Sequence, residues 1–300
     1  MSDKPTVVLG LDYETDVGSF YYTYNGVEQG TPLLLDLLSR KGVHATFFFT
    51  GACARKFPDI VANIHRAGHE IGNHSLFHET VGDPLFEIPG VVPLLAEEVG
   101  FRLRKAHEWV SEAAGFEPVS FRSPRLFGST AVCNALEELG YVADASYPMY
   151  FYRERLVPYH PSREDWTKEG DLRLLEIPNF ADMTMESHDP YGRDRDQWPL
   201  FRTESAAALL LHIDNFCEYV TTRGLPPVLC FYFHPWEFVE QPEKMHVGEG
   251  WVVPDPFIVK NCGPYALEQF GLLLDGLVAR GATFATCREL AADPRWARAG

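Results

Sequence analysis

Apolar residues fall along the chain in two alternating patterns. Short contiguous runs of roughly four to eight predict buried strands, and stretches with apolar residues three and four apart predict helices. TVVLGLD (6–12), ATFFFTG (45–51), HEIGNHS (69–75), VSFRSP (119–124), YVADAS (141–146) and PVLCFYFHP (227–235) read as strands and strand ends. Helical spacing occupies 31–42, 57–68, 92–115, 129–140, 204–224 and 265–281, and ATFATCREL (282–290) ends the set. Such alternation predicts parallel strands joined by right-handed crossovers, in a doubly wound sheet or a barrel. Either arrangement gathers chemistry at the C-terminal ends of the strands.

Residues 148–203 break the rhythm. They are rich in Tyr, Pro, Arg and Asp, with one strand signal in LRLLEIPNF (172–180). The expectation is one domain over 1–300 with an insertion at 148–203 that covers the active-site end, as long irregular segments tend to do.

Composition narrows the partners. The net charge of −16 and pI of 5.1 argue against nucleic acid or an anionic membrane surface. Apolar runs such as PPVLCFYF are too short to span a bilayer, so no membrane insertion is expected. MSDKPTVVLGLDYETD lacks a basic region followed by a long apolar one, which predicts no signal peptide. The six cysteines, at 53, 133, 217, 230, 262 and 287, form no CxxC and no close pair. They read as reduced thiols of a cytoplasmic protein. Homo-oligomerisation is left open.

The polar residues at the strand ends carry the chemistry. LDYETD puts Asp12, Glu14 and Asp16 at alternating positions, so in extended chain they project from one side. Three clustered acids repel one another unless a cation or proton intervenes. GNHSLFHE (72–79) supplies His74 and His78. Two neutral imidazoles and one carboxylate form a zinc ligand set, completed here by Glu14 or Asp16. The same spacing recurs in His65 and His69, but a helix that stops at Gly68 separates that pair. Asp12 is then free to act as general base on a metal-activated water, with Arg122 pairing to it. His234 is placed to protonate the leaving group, and Asp144 to accept a hydrogen bond from its imidazole. Together these residues describe metal-assisted hydrolysis of an amide or ester. No GxSxG, GxGxxG or P-loop pattern offers a competing site.

LDYE, GHEIGNHSLFHE, FRSPRLFG, YVADASY and FYFHPWEF occur in the order of the five motifs of the polysaccharide deacetylases, the NodB-homology group or carbohydrate esterase family 4. The chain resembles that family over about 6–146 and again over about 205–290. It looks most like the subgroup of intracellular, exopolysaccharide-linked deacetylase-like proteins. The resemblance implies a NodB-like distorted (β/α) barrel with about seven strands and one divalent metal, zinc by expectation. It implies Asp12 as base, His74 and His78 as metal ligands, Arg122 as the arginine orienting the base, His234 as acid and Asp144 as its partner. The reaction implied is loss of acetate from an N-acetylated amino sugar at a linear amide bond, with metal and backbone N–H groups stabilising the oxyanion.

Three departures stand out. The first motif reads Asp12-Tyr13-Glu14 where two adjacent aspartates are typical, which favours Glu14 over Asp16 as the metal carboxylate. Arg125 stands where an aromatic is usual, and the fifth motif reads HPWE. Arg125, Tyr147 and Trp236 are candidate substrate contacts. Hydrolysis of small cyclic amides or imides, in the manner of allantoinase-like relatives, is the alternative reaction. A non-catalytic carbohydrate-binding or assembly protein is the alternative of another class.

Overall fold

All eight residues of Thr6–Tyr13 (β1) are buried, as expected of a parallel strand covered on both faces. A computed structural model describes residues 4–296, so the extreme ends of the 1–300 span lie outside the described residues. β1 is followed by Thr46–Phe49 (β2), Glu70–Asn73 (β3), Ser120–Phe121 (β4), Ala143–Asp144 (β5), Leu175–Glu176 (β6) and Val228–Phe233 (β7). Strands β1 to β6 are neighbours in that order, all parallel, and β7 pairs with β1 over Thr6–Leu11 and Val228–Phe233. The seven strands curl into a distorted (β/α) barrel. An isolated bridge from Asn179, just past β6, to Cys230 in β7 brings the far edges together.

Alternation along the strands sorts the core. Val7, Leu9, Leu11, Phe47 and Phe49 join the large cluster packed under the helices Thr31–Lys41, Ala206–Thr221 and Pro264–Ala279. Val8, Phe48, Ala143, Leu175 and Cys230 form a smaller cluster inside the curl. This period-2 division puts Asp12 on the inner face, in register with Val8 and Gly10.

Two strands are shorter than their sequence signals. YVADAS holds ladder pairing only at Ala143–Asp144, and LRLLEIPNF only at Leu175–Glu176. The chain then bends away to feed the strand-end loops. A two-stranded hairpin, Met245–Val247 (β8) with Gly250–Val252 (β9), was not predicted; it is partly exposed and lacks an apolar run. A last short strand, Thr283–Phe284 (β10), pairs with the start of β1. No helix among the described residues is long and apolar enough to cross a membrane.

Candidate active site

The three acids that follow β1 separate once the chain is folded. Asp16 turns into its own loop, where it accepts hydrogen bonds from Thr23 Oγ1 (2.8 Å) and the N–H groups of Asn25 (2.8 Å) and Gly26 (2.9 Å). Glu14 points the other way, towards the end of β3. Its Oε2 lies against His78 Nε2 and 3.4 Å from His74 Nε2. The ligand atoms of Glu14, His74 and His78 all fall within 4.8 Å of one another. All three residues are buried, yet neither Glu14 oxygen receives a hydrogen bond.

Local structure aims the imidazoles. His74 Nδ1 sits 2.7 Å from the Arg122 carbonyl oxygen. A carbonyl can only accept, so Nδ1 carries the proton and Nε2 is left bare. His78 is carried by a tight turn in which Ser75 and His78 have positive φ (65° and 63°). Glu79 holds that turn by accepting from the Phe77 N–H (2.6 Å) and Ser75 Oγ (3.2 Å). Burial pushes the His78 imidazole down to about 4 despite the pull of Glu14, keeping it neutral. Burial alone would raise the Glu14 carboxyl, but His78 and His74 hold it well below the usual range. Two imidazoles converging on a buried, donor-free carboxylate are a donor set that fits a divalent cation.

Asp12 stands beside this cluster, with Oδ2 4.0 Å from His74 Nε2. Its Oδ1 accepts from Arg122 Nη1 at 2.9 Å. The Arg122 side chain crosses the inside of the curl, donating from Nε to the Ala145 carbonyl (3.0 Å) and from Nη2 to the Phe231 carbonyl (3.1 Å). Gly10 makes the room, because a Cβ there would lie 2.0 Å from Nη1. On the opposite wall His234 follows β7. Its Nδ1 meets Glu237 Oε1 at 3.0 Å, and the same oxygen accepts the His234 N–H (2.9 Å). Glu237 in turn accepts from Trp198 Nε1 (3.0 Å) and Arg202 Nε (2.6 Å), and both ends of the Arg202–Glu237 pair are fully buried. Burial works against the charged imidazole, but the hydrogen bond and charge of Glu237 raise His234 above its ordinary value.

Asp12, Glu14, His74, His78 and His234 share one cavity of about 680 Å³ at the C-terminal end of the strands. Residues 4–143, which carry the first three motifs and the start of the fourth, YVADASY, match the family model of the polysaccharide deacetylases. Over those residues the chain is similar to that family, and the match covers just under half of its length. Over 94 residues it is 36% identical to a peptidoglycan-N-acetylglucosamine deacetylase of Bacillus cereus, in an alignment covering 31% of this chain and 30% of that one. It spans less than half the length of such curated relatives. A Mycobacterium smegmatis protein assigned to the polysaccharide deacetylases shares the fold, with TM-score 0.64, 18% identity, and coverage of 100% of this chain and 95% of that one. Puue allantoinase shares it too, with TM-score 0.61, 14% identity, and coverage of 97% and 90%. At these identities both likenesses concern the fold alone.

Around this cavity two sequence expectations need correction. Asp144 does not reach His234; it lies on β5, fully buried, bonded to Ser146 Oγ and grouped with Cys133 and Glu176. β5 pairs with β4 and β6, whereas His234 follows β7, so the strand order keeps them apart. Tyr147 is also fully buried, packed on Tyr152, Tyr159 and Trp166, and takes no part in the cavity wall. Arg125 and Trp236 do line the cavity. His69 accepts a hydrogen bond from the Ala45 N–H (3.2 Å), while His65 packs on Phe116, so that pair does not converge. Glu237 and Arg202 escaped the sequence reading. The signal for Glu237 was present, since His-Pro-Trp-Glu has the spacing of a helix capping box.

Proposed function

We propose that the protein is a metal-dependent hydrolase that removes N-acetyl groups from an amino sugar, free or within a polysaccharide. The convergence of Glu14, His74 and His78 between the Asp12–Arg122 and His234–Glu237 pairs carries this reading. The names of the relatives support the reaction class. Glu14, His74 and His78 would hold one divalent ion, zinc by the two-imidazole, one-carboxylate donor set. When bound, such an ion lowers the pKa of water and polarises an amide carbonyl. Asp12, held by Arg122, takes the proton of the attacking water. His234, with Nδ1 bound to Glu237, offers its Nε2 proton to the leaving nitrogen. The dispersed free cysteines support a cytoplasmic setting.

His74→Ala is expected to lose metal and turnover together, and Asp12→Asn to keep metal while kcat falls by about 100-fold or more. Metal content by elemental analysis and acetate release from N-acetylglucosamine oligomers check both. Near-normal rates in Asp12→Asn would refute the base. A second reading, opening of a small cyclic amide, is favoured by a cavity within the size range of small-molecule sites. Ring opening of a hydantoin or imide without acetate release would select it. A metal-free protein indifferent to His74→Ala would instead mark a non-catalytic carbohydrate-binding role.

A further inference from the structure

Several acids of the cavity wall are already engaged. Asp12 is paired with Arg122, and Glu14 faces the two imidazoles. Asp196 accepts from Tyr232 Oη (2.5 Å) and the Trp198 N–H (3.1 Å), and Asp194 from Ser187 and the N–H groups of His188 and Asp189. Arg125 is different. Among the described residues no carboxylate comes within ion-pair distance of it, and its one hydrogen bond runs from Nη1 to the His78 carbonyl at 3.2 Å. The rest of a five-donor fork remains for a ligand, on a half-buried side chain at the cavity wall beside a metal-site histidine.

The backbone points the same way. Arg125 and Leu126 are consecutive non-glycine residues with φ of 60° and 59°, in the left-handed region. Each such residue costs about 1–2 kcal/mol. A strained pair is kept where it holds side chains that the site uses, and both of these side chains face the cavity.

We propose that Arg125 is a specificity-determining residue that binds a carboxylate on the substrate, close to the amide that is cleaved. The substrate class is thereby an N-acyl compound bearing a carboxylate, such as an acidic amino sugar. A planar fork matches the two oxygens of a carboxylate. Arg193 also lines the cavity without an ion pair among the described residues, but its guanidinium lies over the Phe86 ring, whereas Arg125 is the one held beside the metal-site histidine. This inference rests on the proposed amide hydrolysis for the position of the scissile bond, but its test does not depend on turnover.

The probes are N-acetylmuramic acid and its methyl ester, which share the acetamide and differ in charge. Calorimetric titration into zinc-loaded Asp12→Asn protein measures binding without hydrolysis. With Arg125 present the acid is expected to bind about 10- to 100-fold more tightly than the ester, the range for a hydrogen bond to a charged group. Arg125→Gln is expected to bring that ratio near one, and Arg125→Lys to restore part of it. Melting temperature and zinc content verify that each variant is folded and loaded. No measurable binding of the acid, a ratio near one with Arg125, or a ratio unchanged in Arg125→Gln would overturn the assignment. Acetate release by the protein with Asp12 intact is read separately; its failure on both probes would count against the deacetylase reading while the binding ratio still decides the role of Arg125.

Discussion

His234 and Glu237 lie three residues apart in one turn, and the carboxylate keeps a proton on the imidazole to higher pH than free histidine would. The sign follows from the acid role. A raised pKa means that the protonated, active form persists as pH rises past the ordinary value near 6.5, and activity is lost through the raised value. Its contribution to stability runs the same way, full below about 6.5 and lost through the raised value. Glu237→Gln should therefore move the alkaline limb of the kcat–pH profile to lower pH, whereas Asp144→Asn should leave that limb in place. The same change leaves buried Arg202 without its counter-charge, so a stability loss of about 3–5 kcal/mol is expected in denaturant melts. On the other wall, Gly10→Ala would drive a methyl into Arg122 Nη1. Expelling the guanidinium should cost about 1–3 kcal/mol and most of the turnover, with metal content intact. Normal kinetics in that variant would show that the Arg122–Asp12 contact is dispensable.

At the level of elements, the loop after β1 and the turn after β7 are built against each other. A Cβ on Gly26 would lie 2.3 Å from the Trp236 backbone nitrogen, so the two segments meet backbone to backbone. Asp16 fixes this loop, which gives it a measurable signature distinct from that of Glu14. Asp16→Ala should lower stability by about 1–3 kcal/mol through the unsatisfied Asn25 and Gly26 amides while the protein still binds zinc. Glu14→Ala should abolish zinc binding, and loss of zinc from the Asp16 variant alone would reverse the assignment. The division between these acids was only half legible in the sequence. Alternation showed that Asp12, Glu14 and Asp16 begin on one side of a strand, but β1 ends at Tyr13, and beyond it period-2 reasoning no longer applies. Strand and helix existence was legible because TVVLGLD, ATFFFTG and PVLCFYF carry strong periodic signals. The Asp144 pairing was not, because proximity around a barrel depends on strand order, and the nearer carboxylate lay inside the very motif that supplied the histidine.

Over the whole molecule, the helix-covered face of the sheet holds a second acidic pair, beside Cys133, that bears on pH rather than on turnover. Asp144 and Glu176 are fully buried neighbours, and burial raises both above the usual carboxyl range. The folded protein thus retains a proton that the unfolded chain releases above about pH 4. Stability associated with this pair falls as pH rises from there through the raised values. Glu176→Gln keeps an acceptor for the Ser146 and Tyr147 amides and supplies a donor towards Asp144, so its denaturation midpoint should fall less steeply with pH than that of the wild type. An identical slope would exclude the pair as its source. The threaded Arg122 has one more consequence. The acid half of the site is a self-contained cassette, with His234 and its orienting carboxylate on a single turn. The base half is a tie-rod across the barrel, anchored on the segments after β5 and β6 and on β7 as well as on Asp12. Any breathing that shears those strands would slacken the base while leaving the acid tuned, so partial thermal loosening should show first as a fall in proton abstraction rather than in proton donation.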